Sequence, residues 1–277
     1  MPSHGPSLLD PALSFAADIL DDLERVHTAN ANRLRDGLGL PPGHPDLAWL
    51  AAMVEMLKKA EHKAVLNLQR KMRKHPLGAW CKAQRGIGER QGARLLAAIG
   101  DPYIRPEILN EDGSIRSKEG PRTVSALWAY CGLHVLSVDQ RITDAHDGCV
   151  DGDQHGDPGQ CTADAHTPSA GVAAKRRKGV RSNWSSVAKM RAYLVAKSCV
   201  RQKLDPRCEG GQDHVVPACA CSPYRIVYDA RRAHTVVTHP EWTPLHALND
   251  ALRVTSKEIL KDLWRAARDY HEGETLR

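Results

Sequence analysis

The chain has 277 residues, of which 42% are hydrophobic and 26% are charged, which predicts a globular protein with one large or two modest domains. It shows neither a signal-peptide pattern nor a long apolar run, so we expect a cytoplasmic protein rather than a secreted or membrane-spanning one. The formal net charge of +6 permits a nucleic-acid partner without requiring one. Because we expect a cytoplasmic protein, the eight cysteines should be free thiols or metal ligands rather than a disulfide framework.

Two long amphipathic helices are predicted at the N-terminus. Asp10-Pro11 has the pattern of a helix cap followed by proline at the first helical position, and apolar residues then recur at helical spacing as far as Gly37. Asp46 is expected to cap the second helix. Residues 1–75 are thus predicted to form an antiparallel, coiled-coil-like arm, and this arm is expected to join the subunits of a homo-oligomer.

The end of the second helix carries a dense run of basic residues. Such a run can be a solvated helix face or a stripe that faces DNA, and the sequence leaves both alternatives open. Its members are Lys58, Lys59, Lys63, Arg70, Lys71, Arg73 and Lys74.

The segment 76–136 contains the pattern of a helix-hairpin-helix. Gly86 and Gly88 flank Ile87, so the backbone can turn tightly while Ile87 inserts into a core, and Gly92 permits close packing of the two helices. Free N–H groups at the start of the second helix suit a phosphate, which predicts contact with a DNA backbone regardless of base sequence. A glycine turn between two core helices is the alternative. The predicted DNA contacts here are Arg85, Gly86, Ile87, Gly88, Arg90 and Arg94.

A further short helix is predicted from Val124 to Leu133, with Trp128 and Tyr130 in the core. Residues 137–181 lack an apolar period and are predicted to be a long irregular insertion rich in Cys and His. The insertion ends in a basic run that we also predict to bind DNA, comprising Lys175, Arg176, Arg177, Lys178 and Arg181.

Residues 182–277 are predicted to be the C-terminal helical part. A helix capped by Ser182 or Asn183 is expected to bury Val187, Met190, Leu194 and Val195 and to present Arg191 outward as a further DNA contact. The stretch from Pro223 to Tyr228 is compatible with a helix or a strand. A last helix is expected to begin at Thr243-Pro244 and to end near Gly273. The fold class is therefore mainly α: a helical N-terminal hairpin, then an α-helical domain with a helix-hairpin-helix and an irregular Cys/His-rich insertion.

Two cysteine-rich loops suggest a structural zinc site. Zinc prefers about four thiolate or imidazole ligands in a tetrahedron, which would pin the two loops together. Free cysteines are the alternative, because the spacing is not the usual two-residue knuckle. The predicted ligands are Cys149, Cys161, Cys219 and Cys221, with Cys208 and His214 as alternates.

The order of these segments resembles the C-terminal domain of the DEDD transposases related to the Piv DNA invertase, the group of bacterial insertion sequences numbered one hundred and ten. The resemblance covers roughly residues 75 to 271. It is carried by His75-Pro76-Leu77, Arg85-Gly86-Ile87-Gly88 through Ile99-Gly100-Asp101, Ala126-Leu127-Trp128-Ala129-Tyr130-Cys131-Gly132-Leu133, Gly179 and Asn183 ahead of Arg191 and Leu194, and Lys257 with Leu260.

Two features depart from that family. Its RuvC-like N-terminal domain holds divalent metal with acidic residues on strands, whereas the first 75 residues here predict helices. In the family, a serine in the C-terminal domain attacks a DNA phosphodiester. The nearest match is Ser169, and Ser182 is a weaker one. The acids of the first helix are interpreted as a solvated face: Asp18, Asp21, Asp22 and Glu24.

The resemblance implies a DNA-binding, transposase-like protein of mobile-element origin, acting in transposition or recombination and associated with the nucleoid. If the chain is catalytic, Ser169 is the expected nucleophile, and Mg²⁺ requires an acidic nuclease domain supplied by a partner. A guide RNA is a further candidate partner. The alternatives are a non-catalytic DNA-binding or regulatory protein and a zinc-stapled helical interaction protein.

Overall fold

The computed structural model describes residues 8–109, 112–135, 182, 184–202 and 221–273. Within these residues the protein is mainly α-helical, which confirms the predicted fold class. The described helices are α1 (Pro11–Asp36), α2 (Pro45–Lys74), α3 (Gly78–Ala83), α4 (Glu89–Ile99), α5 (Val124–Tyr130), α6 (Ser186–Val200), α7 (Pro223–Thr238) and α8 (Pro244–His271). Short antiparallel strand pairs join β1 (Ile104–Arg105) to β4 (Gly120–Pro121) and β2 (Ile108–Leu109) to β3 (Ile115–Ser117).

The first helix begins and ends where the sequence predicts. The Asp10 carboxylate accepts hydrogen bonds from the N–H groups of Ala12 and Leu13 at 2.8 and 3.1 Å, and Gly37 ends α1 with a φ of 67°. The cap predicted for α2 is wrong. His44 holds that position, where its Nδ1 accepts from the Asp46 N–H at 3.2 Å, and Asp46 lies in the first turn.

Helices α1 and α2 form the predicted antiparallel pair. Leu20 and Leu68 are fully buried between them, and both belong to the main core of the protein. Toward the loop that joins the helices, Trp49 and Met56 remain exposed. The arm is therefore anchored in the core at one end, and the expectation that it joins subunits stays a prediction.

A single hydrophobic core contains residues from all eight described helices. Asp101, just after α4, helps to organise its edge: its carboxylate accepts from the N–H groups of Tyr103 and Ile104 and lies 2.6 Å from Nε2 of His271 at the end of α8. Since His271 is buried, this contact holds the two ends of the helical domain together. None of the described helices combines the length and apolar character that crossing a bilayer requires.

The cap predicted for α6 is wrong, and the predicted orientation is only partly correct. Ser185, not Ser182 or Asn183, caps the helix by accepting from the Ala188 N–H at 3.1 Å. Val187 and Met190 are exposed and Arg191 is buried, contrary to the prediction, whereas Val195 is buried as predicted. The buried face consists mainly of small residues that allow close packing against α4 and α8: Ala188, Ala192, Ala196 and Cys199.

The other C-terminal predictions have mixed outcomes. The stretch from Pro223 is helical, and the Thr243 hydroxyl caps α8 as expected. Trp128 packs against the core and donates from Nε1 to the Lys257 carbonyl at 2.9 Å. Tyr130 is 39% exposed, so its assignment to the core was wrong. Its hydroxyl reaches the Ala98 carbonyl at the surface.

Candidate nucleic-acid interface

The turn between α3 and α4 has the geometry that the glycine pattern predicts. Gly86 adopts a φ of 98°, which L-residues with a side chain rarely occupy. Ile87 is 3% exposed and lies in the core, and its N–H donates to the Gln84 carbonyl at 3.0 Å. The predicted insertion of Ile87 is therefore confirmed.

The two helices approach each other closely at Gly92. A Cβ added there would lie 3.0 Å from Sγ of Cys81 in α3. This contact confirms the predicted role of the small residue, because any larger side chain would push α3 away from α4.

The inner side of the turn is covered by a distant part of the chain. A Cβ on Gly86 would lie 2.6 Å from the Cα of Cys199 in α6 and 3.0 Å from Cγ of Gln202. The Ser222 hydroxyl, at the start of α7, donates to the Arg85 carbonyl at 3.0 Å. The sequence carries no local signal for these contacts, because the partners are more than a hundred residues apart in the chain.

The outer side of the turn is open. Gly88 is exposed, caps α4 without a side-chain hydrogen bond, and has nothing within 4 Å of its Cβ position. Within the described residues, the N–H groups of Gly88, Glu89 and Arg90 have no hydrogen-bond acceptor. These donors, together with the positive end of the helix dipole, suit an anion.

A carboxylate also lies at this helix start. Glu89 is in the first turn of α4, and both its oxygens accept from Nε of Arg73 at 2.9 and 3.0 Å. Arg73 thereby offsets the charge that would repel a phosphate. The same ion pair fixes the end of α2 beside the start of α4.

Helix α2 presents a row of exposed basic residues that ends beside this turn. The row, which we call the α2 basic face, consists of Lys59, Lys63, Arg70 and Lys74, at intervals of four, seven and four residues. These intervals place the four side chains on one side of the helix over about 22 Å, at 1.5 Å per residue. None of the four forms an ion pair with another described residue. Their charges are therefore available to a polyanion.

Three arginines predicted to contact DNA instead meet carboxylates of α1. Arg94, 4% exposed, lies 2.6 Å from Asp21 and 2.5 Å from Glu24, while Arg191 also pairs with Asp21 and Arg90 with Glu24. The prediction that Arg191 faces outward is wrong. Of the three, Arg90 keeps the largest exposed fraction, 38% of its side chain.

The same contacts correct the interpretation of the α1 acids. Asp18 and Asp22 are exposed as expected, but Asp21 and Glu24 are half-buried and ion-paired. Burial raises the pKa of Glu24, but the hydrogen bonds and charges of Arg94 and Arg90 outweigh it, so the net pKa is below its usual value. Asp21 and Glu24 therefore join α1 to α4 and α6.

Several predicted site residues lie outside the described residues, and their roles stay predictions. Cys221 is the described member of the predicted zinc set, and it is buried. Within the described ranges, no group of three or more His, Cys, Asp or Glu side chains is arranged to hold a metal ion. The residues outside are Ser169, Lys175, Arg176, Arg177, Lys178, Arg181, Cys149, Cys161, Cys208, His214 and Cys219.

The described site thus consists of the open start of α4 and the α2 basic face, with Arg85 exposed at the turn between them. Comparison of the chain with protein-family models, with curated proteins and with solved structures found no match.

Proposed function

We propose that this protein binds the sugar-phosphate backbone of duplex DNA through the turn at Gly88 and the α2 basic face. The observation that carries the proposal combines two features of the described part of the chain: N–H groups at the start of α4 that have no acceptor there, and a neighbouring row of exposed cations that form no ion pair with a described residue. One phosphate would accept from the α4 amides, and the basic residues would contact its neighbours along the strand. Such contacts position DNA without reading its bases.

The transposase resemblance extends this proposal from binding to transposition or recombination. In that extension, the Ser169 hydroxyl attacks a DNA phosphorus, forms a serine–phosphate ester and releases one DNA hydroxyl end. Asp21 and Glu24 already neutralise arginines, so we assign any Mg²⁺-holding carboxylates to a partner domain. DNA binding does not depend on this chemistry, and a non-catalytic DNA-binding protein is the second candidate function.

Fluorescence anisotropy with a labelled duplex tests the binding surface. Lys63→Glu/Lys74→Glu reverses two charges of the α2 basic face. The control, Lys118→Glu/Arg265→Glu, makes the same change in net charge at two exposed positions, one in the turn between β3 and β4 and the other on α8. We expect the first variant to weaken binding by about a hundredfold and the control by only about threefold at equal salt.

Salt dependence gives a second measurement on the same proteins. Displacement of counterions by four basic residues predicts a slope of log Kd against log salt of about 3 to 4, and a smaller slope for Lys63→Glu/Lys74→Glu. Equal weakening in both double variants, or no duplex binding by the unchanged protein at low salt, would refute the proposed surface.

A denaturing gel separates the two candidate functions. Incubation with DNA that carries the ends of a mobile element should yield a covalent protein–DNA adduct if the chain is a serine recombinase, and Ser169→Ala should abolish the adduct without changing duplex affinity. If the protein binds duplex DNA but forms no adduct in the presence of Mg²⁺ and the partner domain, the result supports the second candidate function, a non-catalytic DNA-binding protein.

A further inference from the structure

The exposed side of α2 becomes apolar toward the loop that joins this helix to α1. Trp49 and Met56 are 65% and 56% exposed, and they lie fourteen and seven residues before Lys63. An interval of seven residues returns to within about 20° of the same side of an α-helix. Trp49 and Met56 therefore continue the line of the α2 basic face. We call these two side chains the apolar end of α2.

The helix fixes the distance between the apolar end and the basic face. Helix α2 is continuous from Pro45 to Lys74, and ten residues separate Trp49 from Lys59, the first cation of the basic face. This interval corresponds to about 15 Å at 1.5 Å per residue. Successive nucleotides of one strand are about 3.4 Å apart along the axis, so a strand that contacts Lys59 reaches Trp49 about four to five nucleotides further on.

Trp49 differs from the other tryptophans of the chain. All six lie in the described residues, and Trp49 is the one that is exposed. Its indole N–H has no hydrogen-bond acceptor among the described residues, whereas Nε1 of Trp128 and Nε1 of Trp264 donate to backbone carbonyls. Trp49 thus presents an aromatic face and a polar edge to the surroundings of the helix.

The carboxylates of α2 lie away from the line that joins the apolar end to the cations. Glu55 is on the flank of the helix and pairs with Lys58 at 3.5 Å. Glu61 is turned toward α1, where it lies 2.6 Å from Nδ1 of His27. Asp46 is in the first turn of α2, before the apolar end. The cations of the basic face therefore set the charge next to the apolar end.

This combination of an aromatic ring and cations favours a nucleic acid as the partner. A protein surface that covered Trp49 and Met56 would also have to neutralise Lys59 and Lys63, which form no ion pair with a described residue. A nucleic-acid strand supplies phosphates for the cations and flat bases for the ring in one molecule.

We propose that Trp49 stacks on an unpaired nucleobase next to the duplex that the α2 basic face holds, with Met56 packed beside the same nucleotide. In an intact duplex the neighbouring bases cover each base face, so the ring has access only to a base in a single-stranded segment. The inference rests on the DNA binding proposed above and names its preferred ligand: a junction between double-stranded and single-stranded DNA.

Fluorescence anisotropy of the full chain with three labelled DNAs tests the stacking. The first is a blunt duplex, the second adds a single-stranded extension of about six nucleotides, and the third has the same extension without its bases. The second and third DNAs carry the same phosphates, so a difference in their affinity comes from the bases. We expect the base-bearing extension to bind about tenfold more tightly than the abasic one at equal salt, for at least one strand polarity.

Substitutions of exposed aromatic residues show whether Trp49 causes this preference. Trp49→Ala should bind the base-bearing and abasic extensions with equal affinity, and Trp49→Phe, which keeps a smaller ring, should retain part of the preference. Phe15→Ala is the matched control, because Phe15 is a 67% exposed aromatic residue on α1, and it should keep the full preference. An undiminished preference in Trp49→Ala overturns the proposal.

Tryptophan emission gives a readout that reports on the ring itself. Since stacking on a base quenches an indole, the base-bearing extension should quench the unchanged protein more than the abasic extension does. Trp49→Phe should abolish this additional quenching. Equal quenching of the unchanged protein by the two DNAs contradicts stacking by Trp49.

The same measurements separate this inference from the proposed function. If the protein binds blunt duplex but does not distinguish the two extensions, the stacking fails and the proposed function stands. If it binds no blunt duplex but still prefers the base-bearing extension, the proposed function fails and the stacking stands.

Sedimentation velocity tests whether a second copy of the chain covers the apolar end instead. A dimer that Trp49→Ala converts to a monomer would place the ring in a protein interface and overturn the proposal. An association state that Trp49→Ala leaves unchanged supports a ring that is accessible to DNA.

Discussion

Replacing Gly86 with alanine should destabilise the fold by about 1–5 kcal/mol. A side chain at a φ of 98° adds backbone strain of roughly 1–3 kcal/mol. The new Cβ would also lie 2.6 Å from the Cα of Cys199, and such overpacking typically costs about 1–3 kcal/mol. The smaller conformational entropy of unfolded alanine offsets about 0.4–1 kcal/mol of this sum.

Urea unfolding followed by circular dichroism at the helical band measures this effect. Gly88→Ala is the matched control, because Gly88 has a φ of −74° and nothing within 4 Å of its Cβ position. We expect the control to change the free energy of unfolding by less than about 1 kcal/mol.

A second substitution identifies the atom responsible for the clash. The close contact of Gly86 involves the Cys199 backbone, so adding Cys199→Ala should not restore the stability lost in Gly86→Ala. Full rescue by Cys199→Ala would show that the sulfur alone causes the clash. Equal stability of Gly86→Ala and Gly88→Ala would refute the packing of α6 behind the turn.

Three further predictions concern buried polar groups. Arg94→Met should lower the free energy of unfolding by roughly 2–3 kcal/mol in urea because it removes the buried arginine that Asp21 and Glu24 share and leaves each carboxylate with one arginine partner. The exposed Arg33→Met should leave the free energy of unfolding unchanged. Glu24→Gln should cost roughly 1 kcal/mol at neutral pH, measured by the same method. The pKa of Glu24 in the folded state lies below its ordinary value of 4.5, so the stability lost in Glu24→Gln should be largest above pH 4.5. This loss should disappear as the pH falls through the folded-state pKa, because the carboxylate is then protonated. A stability loss that grows toward acid would contradict the ion pairs of Glu24. Burial raises the pKa of three thiols to about 12, so peptide mapping should find them unmodified by iodoacetamide in the folded protein and modified in urea: Cys81, Cys131 and Cys199.

Local chemistry made much of the fold predictable. Asp10 and Thr243 cap their helices because a short polar side chain can reach the free N–H groups of the first turn, whatever the rest of the chain does. Gly86 and Ile87 likewise predict a tight turn with a buried centre, and the structure has both. The α2 basic face was visible as a run of basic residues, but the sequence did not show that these residues form no ion pair with the other described residues.

The wrong predictions for Arg191 and for the buried face of α6 have different physical causes. In sequence, Arg191 is indistinguishable from an exposed arginine, and only the approach of α1 brings Asp21 to it. The buried face of α6 was predicted correctly at Val195 but missed elsewhere. It consists mainly of alanines, whose hydrophobic signal is weaker than that of Val187 and Met190 on the exposed side.

The sequence by itself determined the mainly helical class, the two N-terminal helices and the hairpin turn, because each depends on residues a few positions apart. Only the tertiary structure decided which charges are neutralised and what covers Gly86. Those features depend on contacts between residues far apart in the chain, for which the sequence alone carries no distance. The hairpin turn is thus predictable as a motif, whereas its division into a covered face and an open face is a property of the folded protein.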